Sequence, residues 1–273
     1  MTVAAVCARV GMSRQNYYAV RHQRQRRSVD EQLIVALVKR ERRSQPRLGT
    51  RKLFHMIRDD LEDANVQVGR DRLSEVLRSH CLLVERKPGR VRTTNSRHSL
   101  PVFHNLVAGL ELDGPNQAWA SDLTYIRTGE GPLYASMITD MHSRKIVGSN
   151  IGDSLEAEGC LRALNMALVD LPAGACPIHH SDRGCQYCCH RYVDRLQERG
   201  LPVSMTEVLH CYENAMAERV NGILKQEYDL DWEFRTKEQA IKAFRQAVWL
   251  YNHRRPHLAL GYRTPAEVHA AAA

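Results

Sequence analysis

HHSDRGCQYCCH, residues 179–190, packs three histidines, three cysteines and one aspartate into twelve positions. Its reading decides the fold. As a metal knuckle it would seed a small zinc-stapled module. As the end of a strand turning into a helix it belongs to an α/β sheet. Tetrahedral zinc needs four ligands, usually as two well-separated pairs. Cys185 and Cys188 form one C-x-x-C pair, and no second pair follows. CPIHHSD (176–182) reads as a short strand, on which His179 and His180 point to opposite sides. Gly184 lets the chain turn away, and residues 186–199 read as helix. Cys185, Cys188 and Cys189 would then share one inward face as small core residues. Asp182, left at the strand's end, becomes the functional candidate, because open α/β sheets gather ligands at the carboxyl ends of strands.

Strands and helices extend outward from this point. QAWASDLTYIR (117–127) alternates like a strand, GEG (129–131) is a hairpin turn, and residues 132–140 and 144–152 read as two more strands. A helix over 155–171 precedes the 176–182 strand. A fifth strand (201–205) and helices over 213–228 and 237–252 follow. Three antiparallel strands and then alternating units predict an α/β mixed five-stranded sheet with flanking helices.

Residues 1–84 read as all-helical. A short helix to Arg9, a turn at Gly11 and a Ser13 cap before a second short helix from Arg14 have the grammar of a helix-turn-helix. RHQRQRR (21–27) reads as a charged linker, and 30–43 as an amphipathic helix burying Leu33, Ile34, Ala36, Leu37 and Val38. After Pro46 and Gly49, helices over 50–61 and 70–82 make a second helix-turn-helix candidate, with Arg70, Arg72 and Arg78 outward. Residues 85–112 form a basic linker, and 113–273 the second domain.

Charge follows the same division. Residues 1–110 carry 22 Lys/Arg against 10 Asp/Glu, and residues 111–273 carry 17 against 21. The basic half has the electrostatics of a nucleic-acid binder. The longest apolar run, LIVALV (33–38), is far too short to span a bilayer, and the N-terminus lacks the pattern of a signal peptide. A cytoplasmic protein with eight reduced cysteines is expected.

Three carboxylates stand out. Asp122 lies mid-strand beside Ala118, Ala120, Thr124 and Ile126, where a charge is costly unless it binds something. Asp182 ends the fourth strand. On the 213–228 helix, Met216, Val220, Ile223 and Leu224 form the apolar stripe, and Glu218, Asn221 and Lys225 share the bordering polar face. Glu227 is half a turn away from that face, and Glu213 suits the helix dipole at the start. Two Asp and one Glu are hard oxygen ligands suited to Mg²⁺ or Mn²⁺ and to phosphodiester chemistry.

Asp182 and Glu218 have 35 residues between them. That spacing resembles the Asp, Asp-35-Glu pattern of integrase-core transposases and retroviral integrases. WASDLTYI, SRKIVG, HHSDRGCQY, SMTEVLHCYENAMAERVNGILKQE and YNHRRPHLALGYRTPAEV resemble the OrfB-type transposases of two-frame insertion elements. LGTRKLFHMI and SRQNYY resemble their N-terminal part. The resemblance implies a ribonuclease H-like core, Asp122, Asp182 and Glu218 as the catalytic and metal-holding triad, and Lys225 as a contact to terminal DNA. It implies DNA at element ends and targets, an OrfA product and further copies of the chain as partners. CYENA carries Glu213 where the family usually has Asp. The resemblance implies that the OrfA part is a separate segment, and in the family the fused form looks to be the active one. Arg14, Arg70, Arg72, Arg78 and Asn221 are further candidate DNA contacts. The tail residues Arg254, Arg255, Pro256 and His257 match a motif of structural character. The competing expectations are a non-catalytic DNA-binding regulator and a nuclease for RNA–DNA hybrids.

Overall fold

The computed structural model describes residues 2–84, 100–207 and 214–271. The chain forms two compact units, Met1–Glu85 and Arg86–Ala273.

The first unit is helical. α1 (Val3–Arg9) is capped by Thr2, and α2 (Arg14–Arg42) by Ser13, whose Oγ accepts from the Asn16 N–H at 3.0 Å. The short helix and charged linker expected over 14–27 are instead one helix running through to 42. The reason is local: the stretch from Arg14 to Arg42 contains neither Gly nor Pro, and Arg and Gln are good helix formers. α3 (Thr50–Asp63) and α4 (Arg70–Ser79) follow. Ile34, Leu37 and Val38 of α2 pack with Leu48, with Leu53, Ile57 and Leu61 of α3, and with Leu73, Val76 and Leu77 of α4. Ala36 is exposed and Leu33 only half-buried, so the stripe is narrower than the sequence suggested. Arg42 ties the loops to this core, donating to the carbonyls of Leu82 and Leu48. Arg14, Arg70 and Arg78 are exposed. Arg72 is also exposed but pairs with Glu31 of α2 and Glu75.

The second unit holds a five-stranded sheet: β1 (Ala118–Ile126), β2 (Leu133–Asp140), β3 (Ile146–Gly152), β4 (Ile178–Ser181) and β5 (Val203–Met205). Their order is β3-β2-β1-β4-β5. β1, β2 and β3 pair antiparallel, whereas β4 runs parallel to β1 and β5 parallel to β4. This is the mixed sheet expected of a ribonuclease H-like core. One face is covered by α5 (Ala157–Val169) and α7 (His190–Glu198), meeting Trp119, Ile138 and Val147. The other is covered by α8 (Ala215–Glu227) and α9 (Lys237–His253), meeting Ile126, Leu133 and Met137. At Gly148 a Cβ would stand 2.1 Å from the Ala163 carbonyl, so only glycine lets α5 sit this close to β3.

Three expectations need correcting. The helix over 186–199 is broken: α6 (Cys185–Cys188) ends at an extended Cys189, which caps α7. Cys185 is therefore exposed, Cys188 buried and Cys189 half-buried, not three residues of one inward face. The linker reading also fails over residues 104–106, which cover the outer edge of β5. The Met205 N–H donates to the His104 carbonyl and the Leu106 N–H to Ser204 Oγ. An uncovered edge strand would leave these groups unpaired. Residues 85–99 of that linker, and Glu213, lie outside the described residues. A final helix, α10 (Pro265–Ala270), closes with a capping box between Thr264 and Glu267. No described helix is long and apolar enough to cross a membrane.

Candidate active site

Parallel pairing of β1 with β4 builds the centre of the site. Ser121 stands opposite Ser181, so Asp122 and Asp182 leave adjacent strands at the same level. Neighbouring strands lie about 4.8 Å apart, which sets the scale of their approach. Sixty positions of sequence collapse onto one strand spacing.

Asp182 sits just past β4, and its Oδ1 accepts from the Gly184 N–H at 3.0 Å. Gly184 itself has an ordinary backbone, with φ −65° and ψ 140°. It is not needed as a turn residue. A Cβ there would stand 3.0 Å from Asp182 Oδ1, so glycine leaves room for the carboxylate.

Asp122 accepts two hydrogen bonds, from the Leu123 N–H to Oδ1 at 2.9 Å and from Asn221 Nδ2 to Oδ2 at 2.6 Å. Its carboxyl is pushed up to about 7, first by burial and then by the charge of Asp182, with Glu218 adding a smaller push. The two donors favour the ionised form but do not offset the burial and like charge. Part of Asp122 still meets solvent.

α8 supplies the remaining groups. Glu218 lies in its first turn and is exposed, one turn before Asn221. Asn221 is buried, and its Nδ2 is spent on Asp122. Lys225 Nζ stands 4.5 Å from the centre of the Tyr125 ring. Glu227 points elsewhere, as its angle around the axis required. It forms a bidentate pair with buried Arg255, both bonds 2.8 Å. The tail motif is structural at two points: Arg255 fastens the end of α8, and the Asn252 amide bonds the Ile146 N–H and carbonyl at the start of β3.

Behind the carboxylates lies a polar layer. Asn214 Nδ2 donates to the Ser121 carbonyl at 3.1 Å. His179 Nε2 meets the Ser121 hydroxyl at 2.7 Å and the Tyr192 hydroxyl at 2.9 Å. Burial pushes the His179 ring down to about 3, so it stays neutral, with Nε2 within hydrogen-bond distance of both hydroxyls. The only sequence signal for this layer was the unusual His179–His180 pair on a core strand. His180 is equally buried, its Nδ1 2.8 Å from Ser204 Oγ.

The arrangement is thus an aspartate pair on adjacent parallel strands, Asp122 midway along β1 and Asp182 just past the end of β4, with a third carboxylate on the helix beside it. Among the described residues, no three His, Cys, Asp or Glu side chains stand close enough to enclose an ion on their own.

Two integrase core domain models match the chain, over residues 113–211 and 199–265. The 31 kDa protein of insertion element IS600 from Shigella sonnei is 37% identical over 265 residues, covering 96% of each chain. The transposase for insertion sequence element IS629 from Shigella sonnei is 34% identical over 227 residues, covering 82% of this chain and 74% of that one. Among solved structures, the HTLV-2 integrase catalytic core domain in complex with magnesium superposes with a TM-score of 0.46 at 17% identity, covering 57% of this chain and 98% of that one.

Proposed function

Since the chain belongs to the insertion-element transposases built on an integrase core domain, we propose that Asp122, Asp182 and Glu218 carry its cleavage and joining of DNA at element ends. The observation that carries this reading is the level placement of Asp122 and Asp182 on parallel strands, with Asn221 of the Glu218 helix bonded to Asp122.

The donor set fits divalent cations. Three carboxylates are hard oxygen ligands, and the like charge of Asp182 adds to burial in pushing Asp122 up. Asp122 and Asp182 would hold Mg²⁺ or Mn²⁺ between them, and Glu218 would close the set from α8. Bound cations supply activation of the attacking oxygen and stabilisation of the leaving one. The attacking oxygen belongs to water in cleavage and to a 3′-hydroxyl in strand transfer.

The chain's own residues do the positioning. Asn221 holds Oδ2 of Asp122, and the Leu123 N–H holds Oδ1, so the carboxylate cannot rotate away. The Gly184 N–H fixes Asp182 in the same manner. Lys225, two turns along α8 from Glu218, lies where a terminal phosphate would leave the site, and Tyr125 supports its ammonium. The partners proposed are element-end and target DNA, further copies of the chain and the OrfA product.

The test is a labelled duplex carrying the element's own end, incubated with the chain and Mg²⁺ or Mn²⁺, with and without a fused OrfA segment. Asp182→Asn should bind the duplex and leave it intact. Nicking that persists in Asp182→Asn would sink the triad reading. Binding without nicking in every form would favour a regulator.

A further inference from the structure

The first 29 residues contain six arginines and no Asp, Glu or Lys. Four of the six, at positions 21, 24, 26 and 27, fall inside α2 within two turns. The hydrophobic core of the unit takes its α2 residues only from 33 onward. Residues 14–29 of α2 therefore form about four turns, roughly 24 Å, outside that core; α1 packs against α2, and only Tyr17 and Val20 of the apolar residues here are half-buried. Arg14, Arg21, His22, Arg26 and Arg27 are all exposed, and they point around the whole helix, not along one stripe.

Such a helix needs an explanation. Isolated polar helices of this length are marginal in water, and clustered like charges weaken them further. A solvated spacer would carry interleaved acids to relieve the repulsion, as α2 does from Asp30 onward. A phosphate backbone relieves it instead. A helix with its side chains is about 10–12 Å across, matching the major groove, and a helix lying there has phosphates on both sides. Cations pointing all round the axis are what that position uses.

We propose that the basic half of α2, residues 14–29, is a continuous helical arm that lies in the major groove of duplex DNA and is held by its arginines. The proposal rests on the chain acting on DNA but not on the carboxylates.

The test uses the full chain and a short duplex of arbitrary sequence, with affinity measured as salt is raised from about 50 to 200 mM. Arg21→Gln/Arg26→Gln/Arg27→Gln removes three cations while keeping good helix formers. Each lost phosphate contact lowers the log–log salt slope by about 0.9, so wild type should lose about 40-fold more affinity than the variant across that range. Ser28→Pro keeps every charge but breaks the helix, and it should lose binding comparably. Guanine N7 should be protected from methylation in the complex, a mark of major-groove occupancy. An unchanged salt slope in the triple variant would overturn the proposal. So would full binding by Ser28→Pro, which would make the segment a flexible tether, or equal displacement by single-stranded RNA. Both variants should melt with wild type, because no core residue is touched. Asp182→Asn should keep the wild-type slope, so failure of the catalytic reading leaves this test intact.

Discussion

Replacing Asp122 with Asn should stabilise the metal-free protein at pH 8 and not at pH 4. The folded state raises this carboxyl from its ordinary 3.8 to about 7. Between those values the folded protein holds a proton that the unfolded chain has released. Stability therefore falls as pH rises through this window and levels off above about 7. The full difference corresponds to about 4 kcal/mol disfavouring the ionised carboxylate. Asn removes the charge but has one acceptor oxygen where Asp122 has two, and two donors face it. Losing one hydrogen bond costs about 1 kcal/mol, which leaves a net gain of about 3 kcal/mol at pH 8. At pH 4 the charge is already absent in the folded wild type, so only the loss remains. Thermal melts of both proteins with chelator present should cross. The variant should melt about 6 °C or more higher at pH 8, and slightly lower at pH 4. Mg²⁺ should raise the wild-type transition at pH 8 and leave the variant's unmoved. A pH-independent difference, or a variant less stable at both pH values, would refute the claim that the site stores uncompensated negative charge.

The other predictions concern the frame of the site. Asn221→Leu should leave Asp122 Oδ2 without its donor, costing about 1.5–3 kcal/mol at pH 8 by chemical denaturation and lowering nicking, while Asn221→Asp should be worse because it adds like charge. Arg255→Met should cost about 3–5 kcal/mol by stranding Glu227, and Arg255→Met with Glu227→Leu should recover most of it, as a double-mutant cycle would measure. Gly148→Ala should prevent α5 from seating on β3, read as lost soluble expression or a cooperative transition lost from the melt. Cys185→Ser should leave melting and nicking unchanged, since this thiol is exposed and unpaired, and metal analysis should find no zinc bound to either protein.

Much of the core was legible because its signals are periodic. Asp122 sat among small and apolar neighbours on a period-two strand, and the helical period separated Glu218 from Glu227. What could not be read was whatever depends on non-local pairing. Nothing in the sequence says that β4 lies beside β1, or that the register puts Ser121 opposite Ser181. That register makes Asp122 and Asp182 neighbours and adds to the burial that pushes the Asp122 carboxyl up. The bond made by Asn221 was hidden for the same reason: its place on the polar face of α8 was legible, but the partner on β1 was invisible. The break at Cys189 was missed because C-Q-Y-C-C-H carries no Gly or Pro to announce it. Residues 21–27 failed in the opposite direction, where a dense charge run suggested a linker although every residue in it tolerates a helix.

These two kinds of miss have different physical roots. At Asn221 a long-range contact lay beyond any local reading, and the contact serves a carboxylate that the fold makes unstable. At 21–27 local propensity won because no tertiary contact opposed it, leaving a charged helix outside the core. In both places the protein carries electrostatic strain of one sign, negative at Asp122 and Asp182, positive along α2. A cation between the carboxylates relieves the first, and a polyanion along the helix relieves the second. A complex of DNA with divalent metal supplies both at once. Binding of DNA and of metal need not be coupled for that to hold. Each relief acts on its own unit, so the fall in salt slope from wild type to the α2 triple variant should be the same in an Asp182→Asn background, both measured with chelator. A fall that differed between the two backgrounds would show that the two strains are relieved together.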